Sequence, residues 1–498
     1  MSVSREWTSL KAVWGAILLV LVARIFLSSQ FLLTPEEALY WQSSQYPLAD
    51  GGATSSVLTL AIGLSTFLFG NSETAVRLPA VLGLAFTAFF MARLAASMFS
   101  WHTALHVTLL CVGILQLNLA ALVASSYSLL LPCWAAVCYH SSVAMYENRT
   151  DQWLFAGFWF GLGLLCHFSM ILLLPFLILC FILIKPFRIC LLYPGPWFGF
   201  LLALGIFLLG AGRLENLDPL SFLDKEYFYA FVHNLIPDPA YSLQFIIDQM
   251  VLLTPVVLVL ILIAWLGGGN KRHLVKPDVQ FLILTSLPLF LLYLIFPVFA
   301  DTGTAWTAGA YIPALILIAG LHSSTRSSFK GRPSGRWILA LITAYGFTVP
   351  LILQITYPPL SLPVHLRQTR LAISGWDLLG KEVHRSSLLM PNPAHTFIFS
   401  MEPKIAGELA FYVPGNPRAV SLDHRTRMHR KTFLEKERQL AGQDGLGVVS
   451  TKAALEKAEL LFDRVEVERE LSLNTQNQHS PEQNHTFYII RGFGFRIR

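Results

Sequence analysis

The charged residues of this chain are segregated along it, and that segregation constrains the fold more than any single motif. Lys, Arg, Asp and Glu together number 32 in the first 357 residues and 34 in the last 141. A soluble domain carries roughly a quarter of its residues charged, so the first part is too apolar to be one, while the last part has an ordinary density. The simplest organisation is a membrane domain over 1–357 followed by a soluble domain over 358–498. Across all 498 residues 54% are hydrophobic and 13% charged, which excludes disordered and collagen-like chains. The net charge of +6 follows from membrane topology, as shown next, and gives no reason to expect a nucleic-acid partner.

A transmembrane helix needs about 20 mostly apolar residues. Eleven stretches approach this: Val13 to Leu33, Pro79 to Phe99, Thr103 to Val123, Tyr127 to Met145, Trp153 to Cys166, Met170 to Ile184, Gly195 to Leu209, Met250 to Leu266, Val279 to Phe299, Ala308 to Leu321, and Trp337 to Tyr357. The run Ser56 to Phe69, closing at Gly70, is short and suits a helix in the interface or one that re-enters the membrane. Alternating the spans from a cytoplasmic N-terminus puts all the membrane part's Lys and Arg on the cytoplasmic side except Arg24, Arg77, Arg213 and Lys225. Basic segments are retained in the cytoplasm during insertion, so this asymmetry favours the orientation and an odd number of spans. The soluble tail is then expected outside the cytoplasm.

The tail alternates short β runs with helices. Strands are expected at Thr396 to Ser400, Ala419 to Leu422, Gly447 to Ser450, Leu460 to Val467 and Thr486 to Arg491. Helices are expected at Leu366 to His384, Pro403 to Tyr412, Thr432 to Ala441 and Lys452 to Ala458. That pattern reads as a small α/β domain. It contains neither a glycine-rich phosphate loop nor a nucleophile elbow. All six cysteines lie in the apolar part without zinc-site spacing, so they read as small core residues.

The most informative segment follows the first span: Leu33-Thr34-Pro35-Glu36-Glu37-Ala38-Leu39-Tyr40-Trp41. Adjacent carboxylates just beyond an apolar helix fit a site at the membrane surface, one acting as general base and the other binding a cation or substrate. The structural alternative is a helix capped by Thr34 whose first turn favours acids, with Tyr40 and Trp41 as interfacial aromatics. Arg24 lies about two turns inside the first span. Such a residue is paired, faces a cavity or snorkels, and near a carboxylate loop it could hold a lipid phosphate. His167, near the end of a helical hairpin, is either a core residue or part of a site.

This loop resembles the acidic pair-Ala-Tyr-Tyr-Trp motif of bacterial polyprenyl-phosphate-sugar glycosyltransferases, the group containing protein O-mannosyltransferases and the ArnT-like aminoarabinose transferases of lipid A. Phe69-Gly70-Asn71-Ser72-Glu73 with Arg77-Leu78-Pro79 resembles the start of that family's second span, and Ala305-Trp306 through Ala310-Tyr311 its late Asn-Trp/Ala-Tyr segment. Gly407-Glu408-Leu409-Ala410-Phe411-Tyr412-Val413-Pro414-Gly415 resembles a tail helix of many bacterial members. Other positions depart from the pattern. Glu36 stands where Asp is usual, Asp50-Gly51-Gly52-Ala53 replaces Asp-His-Pro-Pro, His167-Phe168 replaces a Lys-Tyr pair, and Ser125-Ser126-Tyr127 replaces Thr-Pro-Asp.

The resemblance implies an all-α polytopic GT-C membrane domain with a small extracytoplasmic α/β domain, in a bacterial inner membrane with the tail periplasmic. It implies transfer of a sugar from a polyprenyl-phosphate donor to a lipid or envelope-glycan acceptor, with inversion. Glu36 and Glu37 inherit the base role. Arg24, Tyr40, Trp41, Asp50, Arg77, His167, Trp306 and Tyr311 are the expected substrate contacts, with Arg24 and Arg77 toward the donor phosphate. The sequence requires no cofactor, and Asp50 is where a divalent cation could be held. The alternative is an inactive relative or a non-enzymatic lipid-binding or transport protein; no internal repeat of the kind transporters show is evident.

Overall fold

The structure, a computed structural model, describes residues 3–45, 56–213, 239–267, 271–295, 307–324, 335–356, 375–422, 438–473 and 485–496. Its helices are α1 (Val3–Ser28), α2 (Pro35–Gln45), α3 (Ser56–Phe69), α4 (Glu73–Met98), α5 (Trp101–Gly113), α6 (Leu115–Leu122), α7 (Ser126–Glu147), α8 (Thr150–Cys166), α9 (Leu173–Leu183), α10 (Pro194–Arg213), α11 (Pro239–Leu253), α12 (Pro255–Trp265), α13 (Pro277–Leu284), α14 (Leu287–Ile295), α15 (Ala308–Ser324), α16 (Gly335–Thr356), α17 (Trp376–Leu388), α18 (Pro403–Tyr412) and α19 (Lys452–Glu459). Five strands follow Asn392: β1 (Thr396–Ser400), β2 (Ala419–Ser421), β3 (Asp444–Val449), β4 (Phe462–Leu473) and β5 (His485–Phe495). The chain divides into two compact units. The first comprises Met1–Phe26, Ser55–Val57 and Pro79–Leu353; the second comprises Leu27–Thr54, Leu58–Leu78 and Gln354–Arg498.

The first unit is a bundle of apolar helices. Among the described residues, five helices are long and apolar enough to cross a membrane, or up to eight if each bent pair is one span. The eleven expected spans are therefore not eleven long straight helices. Several are short, and three are broken, for reasons written in the backbone. The α5–α6 pair bends by 62° and the α11–α12 pair by 100°. Ile114 is extended between α5 and α6, and Thr254, at φ 70, turns the chain before Pro255, which cannot continue the preceding helix. A break frees carbonyls that lipid cannot satisfy. At Ile114 the Asn118 amide does so, donating to Val112 O at 3.0 Å and Ile114 O at 2.6 Å.

Small residues set a close crossing in this unit. A side chain at Gly157 of α8 would place its Cβ 2.0 Å from Gly199 O of α10, and one at Gly161 would lie 2.8 Å from Ala203 O. Backbones can approach this closely only through such a small-xxx-small stripe. The six cysteines are buried and unpaired, as expected of core residues.

In the second unit the sheet order is β2-β1-β3-β5-β4. β1 runs parallel to both β2 and β3, whereas β5 is antiparallel to β3 and β4. Parallel neighbours need a crossover, and α18 supplies it between β1 and β2. Pro403 opens that helix at a position needing no N–H. Its end is fixed by Asn416, at φ 48, whose amide donates to Phe411 O at 2.7 Å. Every residue of α18 from Ile405 to Phe411 is buried, because it packs on the sheet on one side and on α2 on the other. Phe397, Phe399, Phe462 and Phe495 form the aromatic centre of the tail. The expected limits of α18 match the structure; helix α17 runs later than Leu366 to His384, and β4 extends well past Val467. Most of the expected helix Thr432 to Ala441 lies outside the described residues.

Candidate active site

The segment after α1 is organised around an ion pair that the sequence does not reveal. Thr34 and Glu37 form a capping box: Glu37 N donates to Thr34 Oγ1 at 3.3 Å, and Thr34 N donates to Glu37 Oε2 at 2.9 Å. Arg77 then grips the same carboxylate, with Nε donating to Oε1 at 2.9 Å and Nη2 to Oε2 at 2.7 Å. Both side chains are fully buried. The remaining donors of Arg77 reach Ser28 O and Phe31 O at 2.8 Å and Leu32 O at 2.7 Å. A guanidinium has five N–H donors, and all five are thus used, with the group also lying over the Phe31 ring. Arg77, expected to contact a donor phosphate, here ties the end of α1 to the start of α2 with all five donors engaged.

Glu36, one residue earlier, has the opposite surroundings. Its side chain is 51% exposed, and its Oε1 lies 2.5 Å from Lys404 Nζ of α18. The two helices are held together at Gly407, where a Cβ would lie 2.7 Å from Leu39 N. Trp41 packs edge-on against Phe411, with ring centroids 4.9 Å apart, and donates from Nε1 to Asn71 Oδ1 at 3.1 Å. Asn71 in turn donates to Asn416 Oδ1 at 3.3 Å. Three of the four motifs that resemble one family, around Glu36, Asn71 and Gly407, are therefore one assembly. Trp41, expected to touch substrate, is a buried strut within it; Tyr40 is half-buried on the same helix.

Two tail residues with unusual electrostatics complete this assembly. Glu408 is fully buried, and neither carboxyl oxygen has a hydrogen-bond partner among the described residues. Burial pushes its pKa well above the ordinary carboxyl value; the nearby Glu37 charge adds to the rise and Arg77 opposes it. Tyr412 accepts from Leu33 N at 2.7 Å and donates to Glu73 Oε1 at 3.2 Å. Burial raises its pKa too, so the phenol keeps its proton. The helix and its family motif are legible in the sequence, but neither Lys404 nor Glu408 stands out there as a site residue. The visible signal was a carboxyl inside an otherwise apolar helical run.

The other expected contacts lie in the first unit. Arg24 is buried and donates from Nη2 to Asn118 Oδ1, while its Nη1 has no partner among the described residues. His167 caps the turn Phe168–Leu172. Ser169 N donates to its Nδ1 at 3.1 Å, so the neutral ring carries its proton on Nε2, which lies 3.3 Å from Tyr127 Oη. Two of the departures noted in the sequence, at Tyr127 and His167, are thus partners. Tyr311, another expected substrate contact, is fully buried and donates to Gln249 Oε1. Asp50 and Trp306 lie outside the described residues. Among those residues no group of three or more His, Cys, Asp or Glu is arranged to hold a metal ion.

Comparison with known proteins bears on the fold. The chain has the fold of ArnT from Cupriavidus metallidurans, solved bound to undecaprenyl phosphate: TM-score 0.63 at 14% identity, over 96% of this chain and 97% of that one. The apo form of the same protein gives 0.61 at 13%, over 98% of each chain. The archaeal oligosaccharyltransferase AglB from Archaeoglobus fulgidus, in complex with an inhibitory peptide and a dolichol-phosphate, gives 0.53 at 10%, over 90% of this chain and 70% of that one. No curated protein matches the sequence. A family model, dolichyl-phosphate-mannose-protein mannosyltransferase, matches residues 55–210. The chain thus shares its fold with ArnT, and its residues 55–210 match the mannosyltransferase family model.

Proposed function

We propose that the protein is a membrane glycosyltransferase that moves a sugar from a polyprenyl phosphate to a lipid or other envelope acceptor at the non-cytoplasmic surface, with Glu36 as the base. The observation that carries this reading is the division of labour in the acidic pair. Glu37 is consumed by Arg77 and Thr34, whereas Glu36 is half-exposed, next to it on the first turn of α2. A base must come within hydrogen-bond reach of the proton it removes, and only the exposed carboxylate can. The fold shared with ArnT and AglB, both solved with lipid phosphates, supports the class of donor.

In this reading the acceptor hydroxyl passes its proton to Glu36 as its oxygen bonds to the anomeric carbon. The sugar–phosphate C–O bond breaks, and the polyprenyl phosphate leaves with the bonding pair from the opposite face, so the configuration inverts. The leaving group is stable as an anion, so the protein supplies mainly a base, positioning and exclusion of water. Arg24, with one guanidinium nitrogen unpartnered among the described residues inside an apolar helix, is the membrane part's candidate for a lipid phosphate.

The test is mass spectrometry of envelope glycolipids. Cells lacking the protein lose one sugar increment; the wild-type gene restores it, and Glu36→Gln does not, since loss of a general base costs about 10²- to 10⁴-fold in rate. Full restoration by Glu36→Gln would remove Glu36 from catalysis. An unchanged glycolipid profile in the deletion strain would remove the enzymatic reading.

A further inference from the structure

Lys404 belongs to the tail, 368 residues from Glu36 in sequence, yet its ammonium is the cation that meets the carboxylate assigned as base. The contact is fixed by helices. Lys404 lies three residues before Gly407 and Glu36 two before Ala38, at the crossing where α18 rests on the α2 backbone. The pair is also open to solvent, with 56% of the Lys404 side chain and 51% of the Glu36 side chain exposed. An exposed pair of this kind contributes only about 0–1 kcal/mol, so an incoming anion can separate it. The buried Glu37–Arg77 pair beside it cannot be opened so cheaply, and Arg77 has no donor to offer a phosphate.

We propose that Lys404 is a phosphate-binding and positioning residue: at rest it holds Glu36, and it transfers to the phosphate of a polyprenyl-phosphate lipid when that lipid binds, leaving Glu36 free to accept a proton. This rests on the glycosyltransferase reading and adds to it a role for the tail. An ammonium is suited to such an exchange because it is a point charge with three rotatable donors and needs no planar fork to be satisfied. The device also orders events: the base is released only when a donor is present to use it.

The test uses the full chain in nanodiscs, with undecaprenyl phosphate, undecaprenol and inorganic phosphate as probes and native mass spectrometry as the readout. The wild-type protein is expected to bind undecaprenyl phosphate more tightly than undecaprenol. Lys404→Gln loses about tenfold of that preference, as for one charge-assisted hydrogen bond, and Lys404→Arg keeps most of it. Glu36→Gln binds undecaprenyl phosphate more tightly than wild type, because Lys404 is no longer held. A Lys404→Gln protein that keeps the full preference overturns the inference while leaving the glycosyltransferase reading intact. So does a Glu36→Gln protein that binds more weakly, which would make the pair purely structural. Displacement of the lipid by inorganic phosphate at matching concentration would overturn the lipid assignment. A wild-type protein that cannot tell undecaprenyl phosphate from undecaprenol removes both readings.

Discussion

Replacing Arg77 by Ala is expected to unfold the assembly around α2 without touching the residue assigned as base. Removing one partner of a buried ion pair costs about 3–5 kcal/mol, because the other charge is left unpaired. Arg77 also serves the carbonyls of Ser28, Phe31 and Leu32, and each buried acceptor left without a donor adds about 1–3 kcal/mol. These terms overlap and do not add in full, but even the lower bound is a large share of the roughly 5–15 kcal/mol that holds a domain together. Lys404→Gln, which breaks only an exposed pair, is expected to cost no more than about 1 kcal/mol. The assay is hydrogen–deuterium exchange of the amides from Thr34 to Trp41, with both variants compared to wild type. Arg77→Ala should lose protection throughout that stretch, and Lys404→Gln should keep it. If Arg77→Ala retains wild-type protection there, the buried pair is not what holds the segment, and the division of labour between Glu36 and Glu37 loses its basis.

Two further outcomes follow from the same assembly. Glu408 has a folded-state pKa raised above its ordinary value of 4.5 by burial, with Glu37, Glu36 and Glu73 adding to the rise and Arg77 opposing it. The folded state therefore binds the proton more tightly than the unfolded chain, and its contribution is complete below about 4.5 and lost as pH rises toward the raised value. Glu408→Gln should match wild type in thermal unfolding at pH 4 and exceed it increasingly as pH climbs to neutrality; a constant difference across that range would show that the group does not titrate on folding. Gly407→Ala would set a Cβ 2.7 Å from Leu39 N, so α18 and α2 must separate, at about 1–3 kcal/mol. Its unfolding midpoint should fall, and an unchanged midpoint would mean that the crossing is looser than its geometry.

The sequence made some of this legible, and the physical reasons are local ones. Pro403 and Thr451 mark helix starts by chemistry within one turn, and α18 and α19 begin where those signals stand. Thr34 gave the helix-cap alternative that the structure realises, with Glu37 completing the box. The step in charge density separated an apolar helical part from a tail with a sheet. What could not be read was pairing across distance. Arg77 seen alone beside an apolar span looks available to a ligand, and only the fold brings five acceptors to it from residues 40 or more positions away. Hydropathy likewise reports that a run is apolar but not that its backbone turns at Ile114 or Thr254. Strand β4 runs past its expected end at Val467 because an edge strand tolerates charge: it carries Glu468, Arg469 and Glu470 and pairs with β5 as far as Leu473.

The second unit is built from three stretches of chain, Leu27–Thr54, Leu58–Leu78 and Gln354–Arg498, and this has a bearing on biosynthesis. A ribosome releases α2 early and α18 only after some 360 further residues, which at about 5–20 residues per second is a wait of roughly 20 to 70 seconds. Through that interval α2 lacks the helix that covers its Gly407-facing backbone and supplies Lys404. The Glu36 carboxylate is thus made long before the Lys404 ammonium that it meets, and the α2–α18 assembly can close only once α18 has been synthesised.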